Sequence, residues 1–289
     1  MKVKKLIINA DGFGFTFGNN RAIFEAAPKG SISSISVNTN FPAVKELPIF
    51  NQQFPHISIG VHLNPIVGKP ILNPDKIPSL VGPNGEFWGN KFAYLLKTKK
   101  IKLDELFIEL KAQVQLILDM KVAITHLDSH QNQHLRPGFF SVFLKVAKSA
   151  GINRMRTHRH FICVECEKPR MCAAKYYTMH PKTTTIHLYT RLLMFRAESL
   201  GMRMADRLLS VGYNTNVTKG NFKTWKMMIK NLPAGTNEVY CHPGYADETL
   251  RKYAQYVDER NKECEILMSP EFRRLLDDND VNLISFRSI

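Results

Sequence analysis

Three histidines and one aspartate lie within the ten residues THLDSHQNQH at 125–134. Imidazole and carboxylate groups together are ligands that borderline divalent metals such as Zn²⁺, Co²⁺ and Ni²⁺ prefer. The apolar run directly before them predicts a short strand. Because alternate side chains of an extended chain share one face, His126, Asp128 and His130 are expected to point the same way. His134 is then left to support the ligands or to contact a substrate.

Three more places put a reactive side chain at the end of a predicted strand: Asp11 in NADGFG, His62 in GVHLN and His242 in YCHPGY. Each has an ordinary structural reading. Asp11 alone is typical of an aspartate that caps the next helix, and a lone histidine at a strand end is more often a structural hydrogen-bonding group. Strand ends in a β-α series converge on one face, however, so the four places together favour a single site.

The chemistry that fits this set is metal-assisted hydrolysis. Two histidines and a carboxylate around a metal with one open position can polarise a carbonyl oxygen and lower the pKa of a bound water. An aspartate would take a proton from that water, and a histidine opposite would donate one to the leaving group. Asp11 and His242 fit these two roles. No Gly-x-Ser-x-Gly, Walker or dinucleotide-binding signature competes.

The elements that must position these residues alternate between strand-like and helix-length segments. The predicted strands are 5–9, 33–38, 57–61, 123–127, 154–157, 238–241 and 282–285. The predicted helices include 19–28, 103–120, 138–150 and 248–267. This alternation predicts an α/β fold with a mostly parallel sheet wrapped by helices. With about seven strands, a barrel and an open sheet are equally compatible with the pattern.

The segment at about 158–232 is basic and aromatic and shows little strand signal. Within it, 187–212 predicts a helix whose apolar residues lie among arginines. A basic amphipathic helix can lie on a membrane or cover a substrate cleft, or it can pack on the core with its arginines facing water. No linker divides the chain, so we predict one domain over 1–289 with an inserted segment at about 158–232. Arg156, just before that segment, is a further candidate site residue.

The chain has 40 basic and 25 acidic residues, a net charge of +15. Such a balance favours anionic partners: phosphorylated glycans or lipids, a membrane surface, or nucleic acid. The basic residues are dispersed and no recognition motif is present, so specific nucleic-acid binding is not predicted. We expect a cytoplasmic protein, with contact to the inner face of the membrane left open. The five irregularly spaced cysteines, the missing signal peptide and the lack of a bilayer-spanning apolar run favour this location.

Taken in order, these motifs resemble the YdjC-like carbohydrate deacetylases, which include chitooligosaccharide deacetylase. NADGFG at 9–14 resembles the family's Asn-Ala-Asp-Asp-Phe-Gly, and GVHLN at 60–64 its Gly-x-His-Leu-Asn. THLDSH at 125–130 and HPGYAD at 242–247 match two further motifs. The resemblance covers most of the chain. It implies a distorted (β/α) barrel, often dimeric, that removes an N-acetyl group from an amino sugar with the help of one divalent metal (Zn²⁺, Mg²⁺, Co²⁺ or Ni²⁺).

By this resemblance His62 and His130 are metal ligands, Asp11 is the catalytic base and His242 is the acid that protonates the departing amine. Some relatives act in lipid A or hopanoid pathways, which favours a phosphorylated or lipid-linked glycan as substrate. Where the family has its second aspartate, normally the carboxylate ligand, this chain has Gly12. Three outcomes follow: Asp11 binds the metal directly, water fills the gap, or the chain is an altered member that binds sugar or lipid with little activity.

Overall fold

The structure is a computed structural model that describes residues 3–163, 169–211 and 219–289. Its strands are β1 (Lys4–Phe13), β2 (Ser34–Val37), β3 (Ser58–Leu63), β4 (His126–Ser129), β5 (His160–Cys163), β6 (Arg207–Val211), β7 (Gly235–Cys241) and β8 (Val281–Leu283). The helices are α1 (Phe17–Ala26), α2 (Leu47–Gln53), α3 (Phe92–Lys97), α4 (Leu103–Asp119), α5 (Phe139–Ser149), α6 (Pro169–Met179), α7 (Pro181–Ser199), α8 (Phe222–Lys230), α9 (Glu248–Tyr253), α10 (Asp258–Met268) and α11 (Pro270–Asp277).

All pairings between these strands are parallel, in the order β4-β3-β2-β1-β7-β6-β5. β8 pairs with the N-terminal half of β1, and β2 pairs with its C-terminal half. The seven strands of the main path form a curled half-barrel surrounded by helices. The predicted distorted (β/α) barrel is therefore confirmed.

β1 is the central strand, and its sequence explains where the core ends and the site begins. Its residues from Leu6 onward are buried, as expected for a parallel strand covered on both faces. Asn9 and Asp11 interrupt this apolar run and share one face because they are two residues apart. Asn9 Nδ2 donates to Asp11 Oδ1 at 2.6 Å and to Ser36 Oγ of β2 at 2.8 Å. The polar end of the central strand is thus fixed by hydrogen bonds across the sheet.

The segment 158–232 departs from its predicted pattern. The predicted helix over 187–212 was wrong over 200–211, because α7 ends at Ser199 and β6 begins at Arg207. Gly212 lies outside the described residues. β5 also lies in this segment, which therefore supplies two strands of the sheet. The predicted helix at 248–267 is divided into α9 and α10. The predicted strand at 154–157 forms only isolated bridges.

Two further observations bear on the environment of the chain. Among the helices of residues 3–163, 169–211 and 219–289, none combines the length and the hydropathy of a membrane-spanning segment. Cys163, Cys241 and Cys264 are buried free thiols, whereas Cys172 is disulfide-bonded. The irregular spacing of the cysteines did not predict that bond.

Candidate active site

A cavity of about 620 Å³ opens at the C-terminal ends of the strands. Asp11 from β1, His62 from β3, His130 directly after β4 and His242 directly after β7 all line it. The rings of His62 and His130 lie 5.5 Å apart between centroids, in a T-shaped arrangement. The four places singled out in the sequence therefore meet in one cavity, as the convergence of parallel strands requires.

Arg156 is the electrostatic centre of this cavity. Its side chain is 1% exposed and binds three carboxylates. Nη1 and Nη2 donate to the two oxygens of Asp11 at 2.8 and 2.5 Å, Nη2 also lies 2.6 Å from Asp128 Oδ2, and Nε donates to Glu238 Oε1 at 3.0 Å. Burial opposes the charge, but Asp11 and Asp128 outweigh it and hold the pKa of Arg156 above its ordinary value.

The pKa values of the two neighbouring carboxyl groups Asp128 and Glu238 are shifted in opposite directions. Burial of Asp128 is overcome by Arg156 and His62, which hold its pKa well below the ordinary range. Burial raises the pKa of Glu238 to about 7, although Arg156 and the backbone N–H of Thr157 favour its charged form. Asp128 Oδ1 lies 2.8 Å from Nδ1 of His62. An ionised Asp128 that accepts the Nδ1–H leaves Nε2 of His62 free to bind a metal.

The residues present fit a divalent metal. Asp11, His62 and Asp128 are buried and offer donor atoms within 4.8 Å of one another. One imidazole and two carboxylates are ligands that divalent transition metals accept. The predicted ligand His130 lies beside His62 but outside this compact group. Both carboxylates also bind Arg156, which reduces the negative charge they present to a cation.

Gly12 contributes no donor, and its backbone is not shaped for an aspartate. Its φ is +104°, a conformation that residues with a Cβ rarely adopt. A Cβ built there would lie 2.9 Å from Asn19 Nδ2. The change from the family's aspartate is therefore accompanied by a local backbone conformation that glycine favours.

Asp11 and His242 lie next to each other in the wall of the cavity. His242 Nε2 lies 4.0 Å from Asp11 Oδ2, and the backbone N–H of His242 donates to Glu263 Oε2 at 2.6 Å. Burial, with Arg260 and Lys219 nearby, lowers the pKa of His242 well below its ordinary value. This shift disfavours the imidazolium form, so any proton that His242 donates has to be supplied during the reaction. This placement is compatible with the base and acid roles that the sequence predicts for the two residues.

Two of the predicted site histidines do not line the cavity. His126 stacks on Phe286 with ring centroids 3.7 Å apart, above Gly60, where a Cβ would come within 2.3 Å of the His126 ring. His134 Nδ1 lies 2.6 Å from Ser129 Oγ, and its ring packs on Phe143. Burial lowers the pKa of both histidines to about 3. They are neutral core residues that support the strand carrying Asp128.

Sequence reasoning missed Glu238 and Arg260. Glu238 is the only charged residue in β7, and that isolated charge was the available signal. Arg260 lines the cavity although its side chain is 5% exposed. It belongs to α10, whose many charged residues gave no reason to single out one arginine.

The chain is similar to several known proteins. The model of the family described as "YdjC-like protein" matches residues 5–278. A carbohydrate deacetylase of Thermoanaerobacter pseudethanolicus is 25% identical over 284 residues, 98% of each chain. A carbohydrate deacetylase of Halalkalibacterium halodurans is 30% identical over 264 residues, 91% of this chain and 94% of the relative. A crystal structure from Enterococcus faecalis V583, whose description proposes cellobiose-phosphate cleavage, is 25% identical with a TM-score of 0.77, covering 99% of this chain and 98% of that one.

Proposed function

Because the chain belongs to the family of YdjC-like proteins, we propose that it is a metal-dependent carbohydrate deacetylase that hydrolyses the N-acetyl amide of an amino sugar. The observation that carries the proposal is the meeting of Asp11, His62, His130 and His242 in one cavity. The relatives named carbohydrate deacetylase align over nearly the whole chain, so the likeness includes every strand that contributes to the cavity.

The chain's own residues account for the proton transfers. A divalent metal held by His62 and His130 would supply the Lewis acid for the amide carbonyl. Asp11, which accepts two hydrogen bonds from Arg156, takes a proton from the attacking water. His242, 4.0 Å from Asp11, would pass that proton on to the amide nitrogen as the C–N bond breaks. Acetate and a free amine then leave.

The charge of the protein supports an anionic form of this substrate. The net charge is +15, and Arg251, Lys252 and Arg260 all contribute to the cavity lining. A glycan that carries phosphate, either free or joined to a phosphorylated lipid, would complement these charges. We therefore place a phosphorylated or lipid-linked N-acetylated sugar ahead of a neutral one.

A lipid-linked substrate would be reached through the α6–α7 hairpin, residues 169–200. It carries eight of the fifteen exposed large hydrophobic side chains in the described residues: Met171, Met179, Ile186, Leu188, Tyr189, Leu192, Phe195 and Leu200. Five basic residues and one acidic residue lie in the same segment. We propose that it makes a peripheral contact with an anionic lipid surface. Its excess of positive charge disfavours pairing with a second copy of itself, and the homodimer implied by the resemblance stays a prediction.

Gly12 favours a second candidate function, that of a sugar- or lipid-binding member of the family with little catalysis. The glycine removes an anionic ligand, and Arg156 engages the two carboxylates that remain. A weakened metal site would leave binding intact and reduce turnover.

The test is to incubate the protein with Zn²⁺, Co²⁺, Ni²⁺ or Mg²⁺ and N-acetylhexosamine substrates, free, phosphorylated and lipid-linked, and to measure acetate. We expect acetate from at least one substrate, and a loss of at least about a hundredfold in Asp11→Asn. His56→Gln is a control on an exposed histidine outside the cavity. If elemental analysis shows bound metal and no substrate yields acetate, the proposed deacetylase activity is contradicted. Unchanged sugar affinity in Asp11→Asn would then favour the binding function.

A further inference from the structure

Arg260 is a buried cation that lacks an anionic partner within the described residues. Its side chain is 5% exposed, and Nε donates to the backbone oxygen of Tyr256 at 2.7 Å. Nη1 is buried and makes no hydrogen bond. Burial lowers the pKa of this guanidinium. Because an unpaired buried charge is unfavourable, Arg260 has the capacity for one more hydrogen-bond acceptor, preferably a charged one.

The carboxylates closest to Arg260 are already engaged by other groups. Asp11 receives two hydrogen bonds from Arg156. Glu263, one turn further along α10, accepts from the hydroxyl of Tyr256 and from the backbone N–H of His242. Arg260 forms no ion pair with any residue that the structure describes. Of the two buried arginines that line the cavity, Arg156 is saturated by three carboxylates and Arg260 is unpaired.

Two glycines pack close to this guanidinium. A Cβ on Gly12 would lie 3.5 Å from Arg260 Nη1, and a Cβ on Gly244 would lie 3.4 Å from Arg260 Cδ. Gly12 also lines the cavity, so the wall next to Nη1 carries no side chain of its own. Arg260 itself lines the cavity, so an acceptor that enters the cavity can approach the guanidinium from the cavity side, next to Gly12.

We propose that the corner formed by Gly12, Arg260 and His242 binds an oxyanion, of the carboxylate or phosphate class, that belongs to the substrate or product. A guanidinium presents parallel N–H groups that match the oxygens of such anions, and hydrogen bonds between charged groups are among the strongest in proteins. The corner is a specificity element: it selects an anionic sugar, or holds the acetate released from it. The identity of the ligand as a sugar rests on the proposed function, but anion binding at Arg260 does not.

The test measures binding by calorimetry with the metal removed by a chelator. The probes are inorganic phosphate, sodium acetate, glucosamine 6-phosphate and glucosamine. We expect the protein to bind an anionic probe more tightly than glucosamine. Arg260→Met should weaken anion binding by about tenfold to a hundredfold, the value of a hydrogen bond to a charged group, and leave glucosamine affinity unchanged. Arg274→Met is the matched control, because Arg274 is exposed, pairs with Glu271 and lies outside the cavity.

The arms of the experiment separate the possible sources of the anion. Tighter binding of glucosamine 6-phosphate identifies a phosphate on the substrate, and tighter binding of acetate identifies the carboxylate of the product. Either result supports an oxyanion site at Arg260. Equal anion affinities in the parent protein and in Arg260→Met overturn it. If Arg260→Met does not fold, Arg260→Lys replaces it, because lysine keeps the positive charge but lacks the parallel N–H groups of a guanidinium. Unchanged anion affinity in Arg260→Lys also overturns the proposal. Neither readout depends on acetate release, so a failed deacetylase assay leaves this test standing.

Discussion

At the scale of single residues, Arg156 links the strands that form the site through ion pairs. One guanidinium, itself 1% exposed, joins Asp11 of β1, Asp128 of β4 and Glu238 of β7. The pKa of Glu238 is raised to about 7 by burial, so this carboxyl is partly protonated near neutral pH, whereas the pKa of Asp128 is held low. The arginine thus compensates the charge of two aspartates more than that of the glutamate.

This difference predicts unequal effects of two substitutions. Arg156→Met leaves Asp11 and Asp128 buried without their cation and should lower the free energy of unfolding by about 3–5 kcal/mol. Glu238→Gln replaces a partly neutral group with a neutral one and should cost about 1 kcal/mol. Guanidinium chloride unfolding at pH 7 measures both. Equal losses of unfolding free energy in the two variants would contradict the conclusion that Arg156 compensates the aspartates more than Glu238.

The sequence could single out Asp11, His62 and His242 because each follows an apolar run and precedes a turn, and His130 because it belongs to a cluster of three histidines. Such a position locates a residue at a strand end without knowledge of its neighbours. Arg156 was a candidate whose partners were unknown, and Arg260 was not singled out. Their roles depend on which carboxylates other elements bring near, and that information is tertiary.

At the scale of elements, the strands that carry the site were predicted and β5 and β6 were not. Leu200, Met204 and Leu208 are four residues apart and continue the helical period of α7 into β6. The helix ends instead because Gly201 takes a φ of +86°. A left-handed glycine is a normal helix terminus, but its conformation cannot be read from periodicity. The barrel was predicted from the family resemblance, because the number of strands alone was equally compatible with an open sheet.

The α6–α7 hairpin gives a prediction at this scale. Leu192 and Phe195 are 69% and 71% exposed and lie near Arg191 and Arg196 on α7. Replacing both apolar residues by serine should reduce sedimentation with vesicles of 70% phosphatidylcholine and 30% phosphatidylglycerol by at least about fivefold, since each loses apolar contact with the bilayer. Vesicles of phosphatidylcholine alone should bind little of the parent protein, because they lack negative charge.

The matched control replaces exposed apolar residues elsewhere. Ile49 of α2 and Leu118 of α4 are 54% and 40% exposed, and serine at both should leave vesicle binding unchanged. Light scattering on the same samples reports the oligomeric state. Unchanged vesicle binding in the hairpin variant, or conversion of a dimer to a monomer, would show that the hairpin faces something other than lipid.

At the scale of the whole molecule, the barrel encloses a run of neutral histidines beside its charged centre. The rings of His134 and His158 lie 5.0 Å apart, and those of His158 and His160 lie 5.9 Å apart. Neither ring nitrogen of His158 has a hydrogen-bond partner within the described ranges. Burial lowers the pKa of His134 and of His160 to about 3, and that of His158 well below its ordinary value. The folded state therefore disfavours protonation at three linked positions.

Stability should consequently fall in mild acid. Below pH 6.5 the unfolded chain binds protons at these histidines and the folded protein does not, so each group lowers the free energy of unfolding by up to about 1.4 kcal/mol per pH unit as the pH falls toward 3. Glu238 acts in the opposite direction, because its raised pKa favours the folded state as the pH falls from about 7 to 4.5. Among the described residues, seven histidines have a lowered pKa and three glutamates have a raised one, so the net effect is destabilisation.

Urea unfolding at pH 7.5 and pH 5.5 tests this balance. We expect a lower free energy of unfolding at pH 5.5, and a shallower decrease in His158→Phe, which keeps a ring of similar shape and removes the titrating nitrogens. The substitution should change stability at pH 7.5 by less than about 1.5 kcal/mol, because it replaces a ring that makes no hydrogen bond. His56→Phe, on an exposed histidine, should retain the full decrease. Equal stability of the parent protein at the two pH values would mean that the buried imidazoles gain protons without unfolding, and that the interior of the barrel admits water.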